Sequence, residues 1–355
     1  MNKKLVGLGL AAAAAVSLAA CGNRASKSSS SEASSSADTS VKAAIVTDIG
    51  GVDDRSFNQS AWEGLQEWGK AASLSKGNDY DYFQSASESD YITNLDSAVA
   101  GGYNLVFGIG FALESAIAEV APNNPNTHYV IVDSVVPDQD NVVSVGFADH
   151  EASYLAGVAA AKSTKTNHVG FIGGMEGVII DRFEAGFVAG AKSVNKDIKI
   201  TVDYAGSFGD AAKGQTLAAA QYAAGADVIF HASGGTGNGV FAAAKAENET
   251  RNEADKVWVI GVDRDQSAEG TYTSKDGKSS NFVLASTLKQ VGTSVKDIAT
   301  KAAAGDFPGG QVLQFSLKDK GVELAETNLS EDASKAVADA KQAILDGKVE
   351  VPEKP

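Results

Sequence analysis

Between positions 48 and 58 the chain reads Asp48-Ile49-Gly50-Gly51-Val52-Asp53-Asp54-Arg55-Ser56-Phe57-Asn58. A carboxylate, an aromatic ring and an amide fall close together there. Carboxylate and amide can satisfy the donors and acceptors of a heterocycle's edge, and the ring offers a stacking face, a combination suited to a nucleobase. The same residues equally suit a glycine turn into a capped helix with Phe57 in the core, and spacing alone leaves both readings open. Further on, Gly234-Gly235-Thr236-Gly237-Asn238-Gly239 has the composition of a phosphate-binding loop. Its glycine spacing is not that of the dinucleotide fingerprint, and no Walker lysine follows. What survives is either a row of backbone N–H groups at a helix start, able to meet ligand hydroxyls or water, or a tight turn. Asp149-His150-Glu151 joins three metal-ligand types, but consecutive residues face different ways and no second histidine lies four positions on. No metal site is expected there. With the four histidines scattered and no G-x-S-x-G elbow, the chain lacks a catalytic constellation. No enzyme activity and no cofactor are expected.

Such groups have to be held by regular elements. The apolar run 43–47 reads as a buried parallel strand, and Ala61, Trp62, Leu65 and Trp68 recur at helical spacing. The stretch between is therefore a strand-to-helix turn with Asp48 at the strand's carboxyl end. Ser56 followed by Gln59 reads as a capping box, making Phe57 and Asn58 the first helical residues. Strand ends facing helix N-termini are where open α/β sheets bind ligands. Strands are expected at 43–48, 81–84, 105–109, 129–133 and 142–147, alternating with helices over 56–71, 89–100 and 112–120, which makes one doubly wound lobe. A second series follows, with strands at 168–172, 198–204, 227–231 and 257–263 and helices over 153–163, 182–192, 209–224 and 239–246. The strand ends Asp48, Gly110-Phe111, Asp133, His231 and Asp263 aim into a crevice between two Rossmann-like lobes. The remainder, 264–355, is too short for a third domain and crosses back, with a helix over 284–303, a late strand at 311–317 and a last helix over 332–346. The lobes so expected are 42–147 with about 264–305, and 148–263 with about 306–355. Their crossovers fall near 147–150, 263–266 and 304–311.

A length of 355 residues suits two domains, and 43% hydrophobic residues is ample for their cores. The net charge of −15 argues against nucleic-acid binding and against a polybasic membrane patch. Lys3 and Lys4 precede an apolar run at 5–16, too short for a spanning helix of ~20 residues but right for a secretory signal. It ends Leu18-Ala19-Ala20-Cys21, which resembles the bacterial lipoprotein box. Cys21 is the only cysteine, so disulfides are excluded and its thiol sits where lipid attachment needs it. On this reading 1–20 is the signal peptide. Residues 21–41, rich in serine and alanine, are a tether too polar to build a core.

With these features in view, the chain resembles the basic membrane protein family of bacterial lipoproteins, and within it purine-nucleoside receptors that feed ABC importers. The marks are Asp48-x-Gly-Gly-x-x-Asp-x-Ser-Phe-Asn58, Gly-Phe-Ala-Asp-His-Glu at 146–151, Gly-Gly-Thr-Gly at 234–237 and Val-Ile-Gly-Val-Asp at 259–263. The resemblance implies a type I periplasmic-binding-protein fold enclosing a purine nucleoside between its lobes. It also implies a monomer held by lipid at the outer face of the cell membrane, with an ABC permease as partner. Carried onto matching positions, Asp48 and Asn58 hydrogen-bond the purine edge and Phe57 stacks on the base. Asp263, Gly234, Gly235 and Lys289 hold the ribose, and Asp133 is a supporting candidate. Some relatives place a second aromatic where this chain has His231, whose imidazole would form the other wall. Two other readings stay in play: a surface adhesin or sensor without a small ligand, and a nucleoside hydrolase holding Ca²⁺ on Asp48, Asp53 and Asp54. Against the hydrolase, Val46 and Ile49 replace key residues of its calcium stretch.

Overall fold

Ala43, Ala44, Ile45 and Val46 are completely buried, as a strand covered on both faces must be. They belong to β1 (Ala43–Thr47) in the computed structural model, which describes residues 40–355. The first series continues through α1 (Phe57–Ala71), β2 (Tyr80–Phe83), α2 (Tyr91–Ala100), β3 (Leu105–Ile109), α3 (Glu114–Val120), β4 (His128–Val132) and β5 (Val142–Phe147). The second comprises α4 (Asp149–Ser163), β6 (His168–Gly173), α5 (Val178–Val194), β7 (Lys199–Tyr204), α6 (Ala211–Ala223), β8 (Val228–Ala232), α7 (Gly237–Glu249) and β9 (Trp258–Gly261). A hairpin of β10 (Thr271–Thr273) and β11 (Ser279–Asn281) then leads into β12 (Val283–Lys289). Last come α8 (Val291–Ala303), β13 (Val312–Phe315), β14 (Val322–Glu326) and α9 (Glu331–Leu345).

Two six-stranded sheets result, in the orders β13-β5-β4-β3-β1-β2 and β14-β12-β9-β8-β6-β7. All pairings are parallel except that of β14 with β12. Both sheets are doubly wound and of Rossmann type, each with its strand order reversing at its first strand, between β1 and β3 and between β6 and β8. Those reversals leave a crevice beyond the strands' carboxyl ends. Apolar side chains cover both faces of the first sheet: Ile45, Leu105 and Phe107 on one side, Val46, Val106 and Ile131 on the other. In the second, α4 and α5 approach so closely that a Cβ at Gly186 or Gly190 would come within 2.2 or 2.0 Å of α4's carbonyls at His150 and Tyr154. Only glycine lets those backbones touch.

The last third departs from expectation. Residues 283–289 are a strand of the second sheet, not the start of a helix, and α8 begins only at Val291. Almost every side chain of β12 is buried, and a short apolar run buried on both faces carries no period that separates strand from helix. The chain therefore passes between the sheets at 147–149, 289–291 and 315–322. The second and third passages are not the expected 263–266 and 304–311. Residues 264–289 stay with the second sheet, and β13 pairs with β5 in the first.

Candidate ligand-binding site

Between the lobes, where both strand reversals point, lies a cavity. Asp48, Phe57, Asn58, Asp133, Gly234, Asp263 and Lys289 all line it.

The turn after β1 is built around two carboxylates. Asp54 accepts from the backbone N–H groups of Ser56 (2.9 Å), Asn58 (2.8 Å) and Gln59 (3.0 Å), so it closes the N-terminus of α1. The expected capping box is absent: Ser56 makes no cap bond and its hydroxyl donates across the cleft to Asp263. Asp48 Oδ1 accepts from Gly50 N and from Asn58 Nδ2, each at 2.8 Å. Asn58 Nδ2 gives its other proton to Asp54 Oδ2 at 2.9 Å. With Asp54's oxygens both engaged and Asp53 exposed, two of the three carboxylates proposed for calcium are committed or turned away.

At the cavity's other side, Lys289 at the end of β12 sits 2.5 Å from Asp133 Oδ2 and 3.1 Å from Asp149 Oδ1, with only 3% of its side chain exposed. The rings of Phe57, Phe147 and Phe183 lie 5.1, 5.2 and 5.6 Å from its ammonium, within cation–π range. Burial by itself would lower the Lys289 pKa, but the carboxylates of Asp133, Asp149 and Asp263 outweigh it and hold the ammonium protonated. One cation does not balance so many acids. Burial lifts Asp149 to about 7, against the pull of Lys289. It lifts Asp263 to about 6 against Lys289 and Ser56, and Asp48 to about 7 against its bonds from Gly50 and Asn58. Asp133 and Asp263 also hold left-handed backbone, at φ of 67° and 66°, a conformation few side chains adopt and one that gathers at binding sites.

Two expected residues lie elsewhere. His231 is fully buried behind the cavity, its Nε2 3.1 Å from Gln266 Oε1, and burial pushes it down to about 4, which keeps it neutral. It therefore forms no wall against a ligand. Gln266 in turn donates to Arg55 O at 2.9 Å, so the histidine braces the first turn from behind. Gly235 is not on the cavity surface; a Cβ there would lie 3.7 Å from Gly50 O, where the lobes abut. The apolar wall that the sequence reading missed comes from the second lobe: Ile179, Ile180 and Phe183 of α5, and Phe208. Phe208 meets Phe111 edge-on at 6.0 Å. A signal for α5 existed, because β6, Gly173-Gly174 and the following helix repeat the strand–glycine–helix pattern of the first turn.

Two doubly wound lobes closing on a cavity at their strand reversals define the type I periplasmic-binding-protein fold. Solved structures agree on the fold. An ABC transporter solute-binding protein from Aeropyrum pernix K1 superposes with a TM-score of 0.77 at 23% identity, over 88% of this chain and 94% of that one. A transcriptional activator of the comK gene from Bacillus halodurans superposes at 0.68 and 24% identity, over 88% and 99%. Residues 41–355 match the family described as ABC transporter substrate-binding protein PnrA-like, and the chain belongs to that non-enzymatic family. Similar proteins include the ABC transporter nucleoside-binding protein BmpA of Lactococcus lactis subsp. cremoris, 58% identical over all of both chains. The CD4+ T-cell-stimulating antigen of Listeria monocytogenes is 52% identical over the same extent. Basic membrane protein B of Borreliella burgdorferi is 35% identical, over 81% of this chain and 82% of that one.

Proposed function

We propose that the chain binds a purine nucleoside in the cavity between its lobes and presents it, as a monomer, to an ABC permease. The observation that carries this is the cavity's division of labour. Phe57 and the Asp48–Asn58 pair form an aromatic face with a polar edge, while Asp263 and Lys289 supply an acceptor and a donor for sugar hydroxyls. Phe183 and Phe208 are the candidates for the second face over the base. Among the described residues no cluster of cations lines the cavity to receive a phosphate, so a nucleoside suits it better than a nucleotide. The similarity to a nucleoside-binding relative supports the same ligand class.

Work outside the cytoplasm, expected of an importer's binding protein, fits the signal-like N-terminus and a lipid on Cys21. That cysteine lies outside the described residues, and among the described residues no helix is long and apolar enough to cross a membrane. One preparation tests both points. Detergent-extracted protein, denatured, should release an intact purine nucleoside, and Cys21→Ala should leave the membrane fraction or accumulate as precursor. Calorimetry on Phe57→Ala should then show every purine nucleoside weakened by roughly 1–3 kcal/mol. Release of no nucleoside, with no heat on adding one, refutes the ligand assignment.

A further inference from the structure

Asn58 is oriented by its neighbours. Both protons of its amide are spent on carboxylate oxygens, Asp48 Oδ1 and Asp54 Oδ2, and neither of those carboxylate oxygens could donate to the amide's oxygen. The amide therefore cannot flip. Its Oδ1 is left buried with no hydrogen-bond partner among the described residues, on a residue that lines the cavity. Asp48 is divided the same way. Its Oδ1 is taken by Gly50 N and Asn58 Nδ2, whereas its Oδ2 accepts from no described residue and lies beside Gly110, also on the cavity. The pair thus offers a ligand two acceptors and no donor.

Resting on the nucleoside reading above, we infer that this subsite selects a base edge carrying two adjacent N–H donors, so guanine is preferred over hypoxanthine and adenine. Guanine presents its ring N1–H beside its exocyclic amino group. Hypoxanthine keeps the ring N–H but lacks the amino group, leaving one buried acceptor unsatisfied. Adenine has a single amino group flanked by ring nitrogens, and their lone pairs would face the acceptors. A buried acceptor left without its donor loses about tenfold to a hundredfold in affinity.

The acceptor character of Asp48 requires its charge. The charged groups around it are Asp54 from the same turn, Asp263 and Lys289 from across the cleft, and the phenol of Tyr91 on α2. Burial dominates among these influences, and the carboxyl titrates near 7. At about pH 8.5 Asp48 is an acceptor; at about pH 5.5 it carries a proton and becomes a donor.

The test is a calorimetric series of guanosine, inosine and adenosine on the ligand-free full-length protein at those two pH values. At the higher pH, guanosine should bind at least tenfold more tightly than adenosine, with inosine between. At the lower pH the guanosine-to-adenosine ratio should fall, and changes at the sugar end cancel from that ratio. Asp48→Asn, which keeps the oxygen facing Gly50 and Asn58 and turns an amide toward the base, should weaken guanosine and strengthen adenosine at both pH values. Equal affinities for the three nucleosides in the parent at the higher pH would overturn the inference and leave the nucleoside assignment standing. So would Asp48→Asn scaling all three by one factor. Binding of none of them would remove both.

Discussion

Asp48 keeps a carboxylate in a place that resists its charge, and the consequence reaches stability as well as binding. Its folded-state pKa is raised from 3.8 to about 7, so the protonated form favours the fold. The stability this contributes is complete below the unfolded value near 4 and is lost as pH rises through 7. Asp48→Asn has no such proton to lose. Relative to the parent, the ligand-free variant should therefore gain stability steadily between about pH 4 and pH 7, by up to about 4 kcal/mol. Denaturant titrations at several pH values measure this, and parallel curves for the two proteins would show that Asp48 is not held above its normal range. At this scale Asp48, Phe57 and Asn58 were legible because they crowd into one turn with a strand before and a helix after. Phe183 and Phe208 were not, because an isolated phenylalanine carries no mark that separates a cavity wall from a core. His231 misled in the opposite direction. It ends a strand beside the cleft, but its side chain is turned toward Gln266.

Helix α1 shows how an element can be read correctly for the wrong reason. Its start at Phe57 was legible, yet its N-terminus is closed by Asp54, not by Ser56 and Gln59. Three amides converge on one carboxylate, and Gln59 instead donates to Glu63 further along the helix. Asp54→Ala should therefore cost at least the ~1–2 kcal/mol typical of a lost cap, while Gln59→Ala should be nearly neutral. Melting curves of the two variants separate the assignments, and comparable losses in both would restore the capping box. Parallel strands at 105–109 and 142–147 were readable from short, mainly apolar runs. Strand β14 was missed because Val322–Glu326 alternates charge with apolar residues on a half-buried edge, a pattern too short to separate from loop. Strand β12 was lost for the opposite reason, its uniform burial.

Across the whole molecule, the cleft is shut by contacts that cross it outside the cavity. Arg55 of the first turn pairs with Glu269, and Arg264 lies 3.3 Å from Glu63 of α1. These pairs are partly exposed, so each is worth only about 0–1 kcal/mol and weakens with salt. Removing both, in Glu63→Gln with Glu269→Gln, should speed ligand release several-fold while leaving the association rate nearly unchanged. Stopped-flow traces showing unaltered release would mean that buried contacts alone hold the closed form. The order in which the site's residues occur along the chain has its own consequence during synthesis. Asp48, Asp133 and Asp149 emerge from the ribosome early, Asp263 later, and Lys289 last of the charged residues lining the site. The edge strands β13 and β14 follow later still. A growing chain thus carries most of its acids well before the ammonium that offsets them. The first sheet lacks its edge strand until residue 315 has been made and the second until residue 326, so the two walls of the cleft are completed only near the end of synthesis, whatever small molecules surround the ribosome.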